Sequence, residues 1–176
     1  YITISIDAII VYIYYTEVIE KTDILTGLLN RRSYESHIRN LREASEILFF
    51  DVDEFKEIND TYGHSVGDLC LERVGHAILR SYGNKGNCYR IGGDEFCVIL
   101  NRNLDSVTML NHAFAERMNK EREKDKRIPY VSVGHAFFDP EKNDIESAVN
   151  EADKQMYYWK QKRKSERNHI RQKHSS

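Results

Sequence analysis

Apolar positions crowd the start of the chain: residues 1–19 hold fourteen of them, yet the longest unbroken run is residues 8–15, interrupted upstream by Asp7. That run is far short of the about 20 residues a bilayer span needs, and no basic leader or small-residue cleavage site marks a signal peptide. The pattern predicts either a packed linker helix or added strand, or the cytoplasmic end of a transmembrane or coiled signalling helix. Beyond Thr22 helical and strand periods alternate without internal repeats. Ile47-Leu48-Phe49-Phe50-Asp51-Val52 is nearly continuous apolar sequence and predicts a strand buried on both faces. Val66, Leu69, Cys70, Val74, Ala77 and Ile78 fall at helical spacing, and that helix is expected to stop before Gly83. Two short strands, residues 88–91 and 95–100, flank Gly92-Gly93-Asp94, a hairpin turn in which glycine's tolerance of positive φ is expected to be used. Val107, Leu110, Phe114 and Met118 define a further amphipathic helix, and residues 120–127 a solvated charged stretch. Residues 131–136 read as a strand. Ile145, Ala148, Val149, Ala152, Met156 and Trp159 make a last amphipathic helix. Interleaved elements of this kind imply a layered α/β domain with helices packed on a central sheet.

Composition narrows the class. In 176 residues, 40% hydrophobic and 31% charged with 9 Gly and 2 Pro, there is room for one domain with a real core, and collagen-like, low-complexity or disordered chains are excluded. The 26 basic and 28 acidic residues nearly cancel, so no global field recruits nucleic acid or an anionic membrane. The balance hides an asymmetry, because residues 160–176 carry seven Lys or Arg against the single acid Glu166. Cys70, Cys88 and Cys97 cannot all pair and show no C-x-x-C spacing, which points to core thiols in a reducing compartment and away from zinc.

Candidate chemistry lies at the strand ends. Asp51 and Asp53 close the buried strand, and Asp94 and Glu95 occupy the hairpin turn. Carboxylates so placed suit a hard cation such as Mg²⁺, which takes one or two of them plus substrate phosphates; spacing alone equally allows ordinary solvated turns. More specific are four motifs in order: residues 23–32 (DILTGLLNRR), residues 50–64 (FDVDEFKEINDTYGH), Gly67-Asp68, and residues 90–96 (RIGGDEF). Together they resemble the GGDEF domain of bacterial diguanylate cyclases over about residues 23–164. The domain organisation expected is an apolar N-terminal segment over 1–22, the GGDEF domain over 23–164 and a basic C-terminal tail over 165–176.

The resemblance implies an α/β (α+β) fold, a palm-like five-stranded mixed sheet flanked by helices, and condensation of two GTP into cyclic di-GMP and two pyrophosphates. It implies two Mg²⁺ (or Mn²⁺) ions per active site, held by Asp51, the backbone carbonyl of Val52, Asp94 and Glu95, so that one activates the ribose 3′-hydroxyl and the other steadies the leaving pyrophosphate. Asp94 also resembles the residue assigned as proton acceptor. Lys56 looks like the lysine that stabilises charge on the transferring phosphoryl group. Asn59 and Asp68 match the guanine-reading pair, with His64 lining the same pocket or packing on the Gly63 turn. Gly92 and Gly93 would let backbone approach the phosphates. Residues 152–160 resemble the family's final helix motif, so Lys160 and Lys164 would reach the β- and γ-phosphates.

The implied partners are GTP and a second copy of the domain, needed for catalysis. No nucleic acid is implied. The implied location is the cytoplasm, with an upstream sensor or membrane region expected to be missing from this chain. Two departures stand out. The family's Gly-Arg after the helix motif is here Arg163-Lys164, and from residue 167 onward a solvated basic tail is expected. The Arg-x-x-Asp inhibitory motif before the turn is replaced by Gly83-Asn84-Lys85-Gly86, read as a helix-ending loop unable to grip product. The rival reading is a non-catalytic module that binds GTP or cyclic di-GMP; the intact Gly92-Gly93-Asp94-Glu95-Phe96 argues against it.

Overall fold

The structure, a computed structural model, describes residues 2–101 and 107–174. Its elements in chain order are α1 (Ile2–Lys21), α2 (Arg31–Asn40), β1 (Ser45–Val52), α3 (Phe55–Tyr62), α4 (His64–Tyr82), β2 (Gly86–Arg90), β3 (Glu95–Asn101), α5 (Val107–Lys124), β4 (Val131–Phe138) and α6 (Ile145–His174). The strands form one sheet in the order β2-β3-β1-β4. The α/β class holds, but the described residues give four strands rather than five, and every strand pair is antiparallel rather than mixed. The segment that comes nearest to a further strand is the one before α2. There Gly27 turns the chain at φ +71° and Asn30 caps α2, leaving Leu29 to make a one-residue parallel bridge to Tyr89.

Alternation along β1 sorts the core into two layers, as a strand with both faces covered requires. Leu48, Phe50 and Val52 face α3, α4 and α5, where Phe50 meets the rings of Tyr82 and Phe114 edge-on at 5.6 and 5.3 Å. Ile47 and Phe49 face α2 and α6 with Cys97, Ile99, Ala152 and Met156. The three cysteines are buried and unpaired with one another, and burial pushes the Cys70 thiol up to about 11 and that of Cys88 to about 12, as inert core thiols require.

Two glycines position the site. At Gly134 of β4 a Cβ would lie 2.1 Å from Met156 N and 2.2 Å from Ala152 O, so α6 rests directly on the strand's backbone. Gly63 at φ +87° lets α3 stop and α4 start with no spacer between them. The helix over residues 64–82 ends at Gly83, as its spacing predicts. The solvated stretch after Met118 is in part more helix, since α5 continues to Lys124. At the other end, α6 does not stop near Trp159; with arginine where the related motif has glycine, it runs on through the basic segment.

Candidate active site

Register brings the acids together. Asp51 is the β1 residue paired with Glu95 of β3 on one side and with Ser132 of β4 on the other. The next amide, Val52 N–H, donates to Asp94 O at 3.1 Å, so the turn is tied to the end of β1. The turn is a hairpin as expected, but neither Gly92 nor Gly93 has positive φ. Gly92 instead leaves space for Glu95: that side chain folds back so that a Cβ on Gly92 would sit 2.5 Å from Glu95 Oε2 and displace the carboxylate, whereas around Gly93 there is open room.

The Asp51 carboxylate is 5% exposed. Burial lifts its pKa to about 6; Lys160 pulls it back, and Asp94 and Asp53 push the same way as burial. Its Oδ1 lies 2.7 Å from Lys160 Nζ, close enough for an ion pair though not aligned as a hydrogen bond. A buried carboxylate that holds a lysine ammonium against neighbouring acids is a cation site by its chemistry. Among the described residues no three His, Cys, Asp or Glu side chains converge into a ready-made cage. Mg²⁺ takes one or two carboxylates and completes its shell with water and substrate phosphate. Asp51, the Val52 carbonyl and the Asp94-Glu95 turn therefore fit the implied ions. Asp53 does not belong with them: it is 2% exposed, with Oδ1 accepting from Ser132 Oγ at 2.7 Å and Oδ2 from Arg163 Nη1 at 2.8 Å.

A second group forms at the α3–α4 junction. Asn59 on α3 and His64 and Asp68 in the first turns of α4 are brought to one corner by Gly63. The Asn59 Oδ1 atom is buried without a hydrogen-bond partner and lies where a Cβ on Gly67 would come within 2.0 Å, so a side chain at 67 would push the Asn59 amide aside. An orphaned buried carbonyl invites a donor. His64 and Asp68 are exposed in the first turns of α4, and Lys56 is exposed on the first turn of α3.

The basic residues of α6 divide differently from the expectation. Lys160 reaches Asp51, but Lys164 is exposed and has no ion pair among the described residues. Arg163 and Arg167 take the inward positions: Arg167 Nη1 lies 2.9 Å from Glu54 and its Nη2 3.8 Å from Asp53. Arg167 is thus not part of a solvated tail. Side chains from residue 170 onward, including Arg171 and Lys173 of the expected tail, lie outside the described residues. One pair was not singled out from sequence. Arg90 donates to both carboxylate oxygens of Asp23 at 3.2 Å and to Gly93 O at 2.8 Å, bracing the turn from below. Burial alone would raise the Asp23 carboxyl, but Thr26 and Arg90 hold it below the usual carboxylate range. Its signal was the placement of both residues at the edges of motifs already in hand.

Comparison with known proteins agrees with this geometry. The sequence profile described as diguanylate cyclase, GGDEF domain, matches residues 20–166. The diguanylate cyclase DgcP of Escherichia coli K12 is 37% identical over 147 residues, covering 77% of this chain and 43% of DgcP. Diguanylate cyclase A of Treponema denticola is 39% identical over 128 residues, covering 68% of this chain and 33% of that protein. This chain therefore spans less than half the length of either relative. Among solved structures, the coiled coil and GGDEF domain of DgcB from Caulobacter crescentus, in complex with c-di-GMP, superposes with a TM-score of 0.74 at 22% identity, covering 88% of each chain. The GGDEF domain of YfiN from Pseudomonas aeruginosa gives 0.63 at 30% identity, covering 80% of this chain and 89% of that one. From the profile match, the identity to the bacterial cyclases and the shared fold, the chain belongs to the GGDEF diguanylate cyclase family.

Proposed function

We propose that the domain is an active diguanylate cyclase, joining two GTP molecules into cyclic di-GMP with release of two pyrophosphates. The observation that carries this reading is the Asp51–Glu95 pairing, which puts a buried acid and the turn's acid side by side at the strand end with a lysine ammonium already drawn in. Bound Mg²⁺ or Mn²⁺, two per site, would supply Lewis-acid activation of the 3′-hydroxyl and charge neutralisation on the triphosphate. The protein residues do the rest. Asp94 takes the proton of the ribose 3′-hydroxyl as its oxygen attacks the α-phosphorus and the bond to pyrophosphate breaks. Lys56 meets the negative charge that grows on the transferring phosphoryl group. Lys160 passes from Asp51 to the β- and γ-phosphates, joined by the mobile charge of Lys164, and Gly92 and Gly93 leave the turn open to the phosphate chain. Asn59 and Asp68 read the guanine edge, with His64 as a wall of that pocket.

The test is product analysis. GTP with Mg²⁺ or Mn²⁺ is expected to give cyclic di-GMP by mass, and removal of the metal with chelator to stop it. Asp51→Ala and Glu95→Ala are expected to lower synthesis by a factor of about 100 or more while the far-ultraviolet circular dichroism stays that of the parent. Undiminished synthesis in either variant defeats the reading.

A further inference from the structure

The α6 helix beyond Lys160 holds the end of β1 by a ladder of ion pairs. Lys160, Arg163 and Arg167 share one face, and they meet Asp51, Asp53 and Glu54 respectively. Asp53 is the centre. Its carboxylate is buried and receives Arg163 on one oxygen and Ser132 Oγ on the other, and its backbone N–H donates to Tyr130 O at 3.0 Å. The Arg163 guanidinium also lies 5.6 Å from the Tyr130 ring centroid, so one side chain grips both partners of that backbone bond. Glu54, held by Arg167, is the one non-glycine among the described residues with positive φ, at +56°. It is the N-cap of α3, the helix that carries Lys56 and Asn59. Left-handed backbone at a side chain with a Cβ persists where its surroundings hold it.

We propose that Arg163, reinforced by Arg167, is a positioning residue for the reaction: through Asp53 it fixes the backbone of residues 51–54, and thereby the aim of the Asp51 carboxylate and the Val52 carbonyl toward the catalytic ions. This rests on the cyclase reading of the site. Arg163 stands where the related motif has glycine, and α6 continues through it, carrying the guanidinium to Asp53. Such an outer partner holds a ligand's orientation without touching the substrate, and its loss shows first in metal affinity and turnover.

Arg163→Gln, Arg163→Lys and the double variant Arg163→Gln with Asp53→Asn separate positioning from mere stability. In the parent and each variant, Mn²⁺ binding in the presence of a non-hydrolysable GTP analogue is titrated by electron paramagnetic resonance, and turnover of GTP is measured well below every Tm. Arg163→Gln is expected to weaken Mn²⁺ binding and lower kcat by about tenfold each, with the GTP KM changed less than about twofold and Arg163→Lys restoring most of the loss. The double variant leaves no buried charge unpaired, so it folds even where the single change does not, and it is expected to show the same loss of Mn²⁺ affinity. Parental Mn²⁺ affinity in a folded Arg163→Gln or double variant overturns the proposal. Failure of the parent to make cyclic di-GMP defeats the cyclase reading instead, and the Mn²⁺ titration still judges Arg163.

Discussion

At the scale of single residues, the site's selectivity should follow from one orphaned atom. Asn59 Oδ1 is buried without a partner, and Asp68 stands on the adjoining turn of α4, exposed. A purine that offers N1–H and a 2-amino group satisfies such acceptors; adenine, with an acceptor at N1 and no 2-amino group, leaves them unpaired. Asp68→Ala and Asn59→Ala are expected to raise the GTP KM by about tenfold or more and to narrow the preference over ATP, with the fold unchanged for the exposed Asp68. Competition assays with ATP check it: a parent enzyme that ATP inhibits as well as GTP serves it has no such pocket. Asp51, Glu95, Asn59 and Lys160 were legible in sequence as candidates because each sits inside a dense motif. The contacts of Arg163, Arg167 and Ser132 with Asp53 and Glu54 were not, because a helix face and a cross-strand neighbour become visible only when β1, β4 and α6 are set side by side.

At the scale of elements, periodicity was a good guide to strands and helices whose faces differ, and a poor one where chemistry ends an element. The four strands and the helix over residues 64–82 were readable from short apolar runs, the glycine turn between two of them, and helical spacing. The run of α6 past Trp159 was not, because Lys, Gln and Arg continue a helix as readily as they form a solvated tail, and the ion pairs that decide the matter come from another part of the chain. The loop between α4 and β2 shows the same dependence on context. Gly83 caps α4 in right-handed conformation at φ −60°, not in the left-handed cap its residue type suggests. A Cβ at Gly86 would lie 2.1 Å from Ile99 O, because β2 begins hard against β3. An aspartate could not stand there without moving the strand, so an Arg-x-x-Asp clamp for the product is excluded by packing as well as by composition. Cyclic di-GMP is accordingly expected to bind at this loop no more tightly than about millimolar, a loss of roughly 4 kcal/mol or more against a micromolar site. Calorimetry decides it: micromolar binding that Lys85→Ala removes would show an inhibitory site after all.

At the scale of the whole molecule, the proposed condensation of two GTP predicts that two copies act together. Each domain offers one candidate GTP site and the product has two-fold symmetry, so two sites must face each other across an axis. The element expected to hold them is α1. It is tied to the body at its C-terminal end, where Asn30 Nδ2 donates to Glu20 O and Ser33 Oγ to Lys21 O at 2.7 and 2.9 Å. Ahead of that anchor Ile6, Ile9, Ile10 and Ile13 are each at least half exposed, and so are Val11, Tyr12, Tyr14 and Tyr15. The helix is thus apolar around its circumference instead of along a single stripe, and a helix of that kind seeks burial on several sides. Among the described residues no helix is long and apolar enough to cross a membrane. Pairing with the α1 of a second copy would take these side chains out of water. Specific activity is expected to rise with enzyme concentration until dimers saturate. Ile9→Asp with Ile13→Asp is expected to shift the rise to at least tenfold higher concentration, since one charge in an apolar seam costs more than about 1.4 kcal/mol of association. Sedimentation velocity run beside the assay tests both halves: a monomer whose specific activity does not change with concentration would mean that α1 and the two-fold axis have nothing to do with turnover.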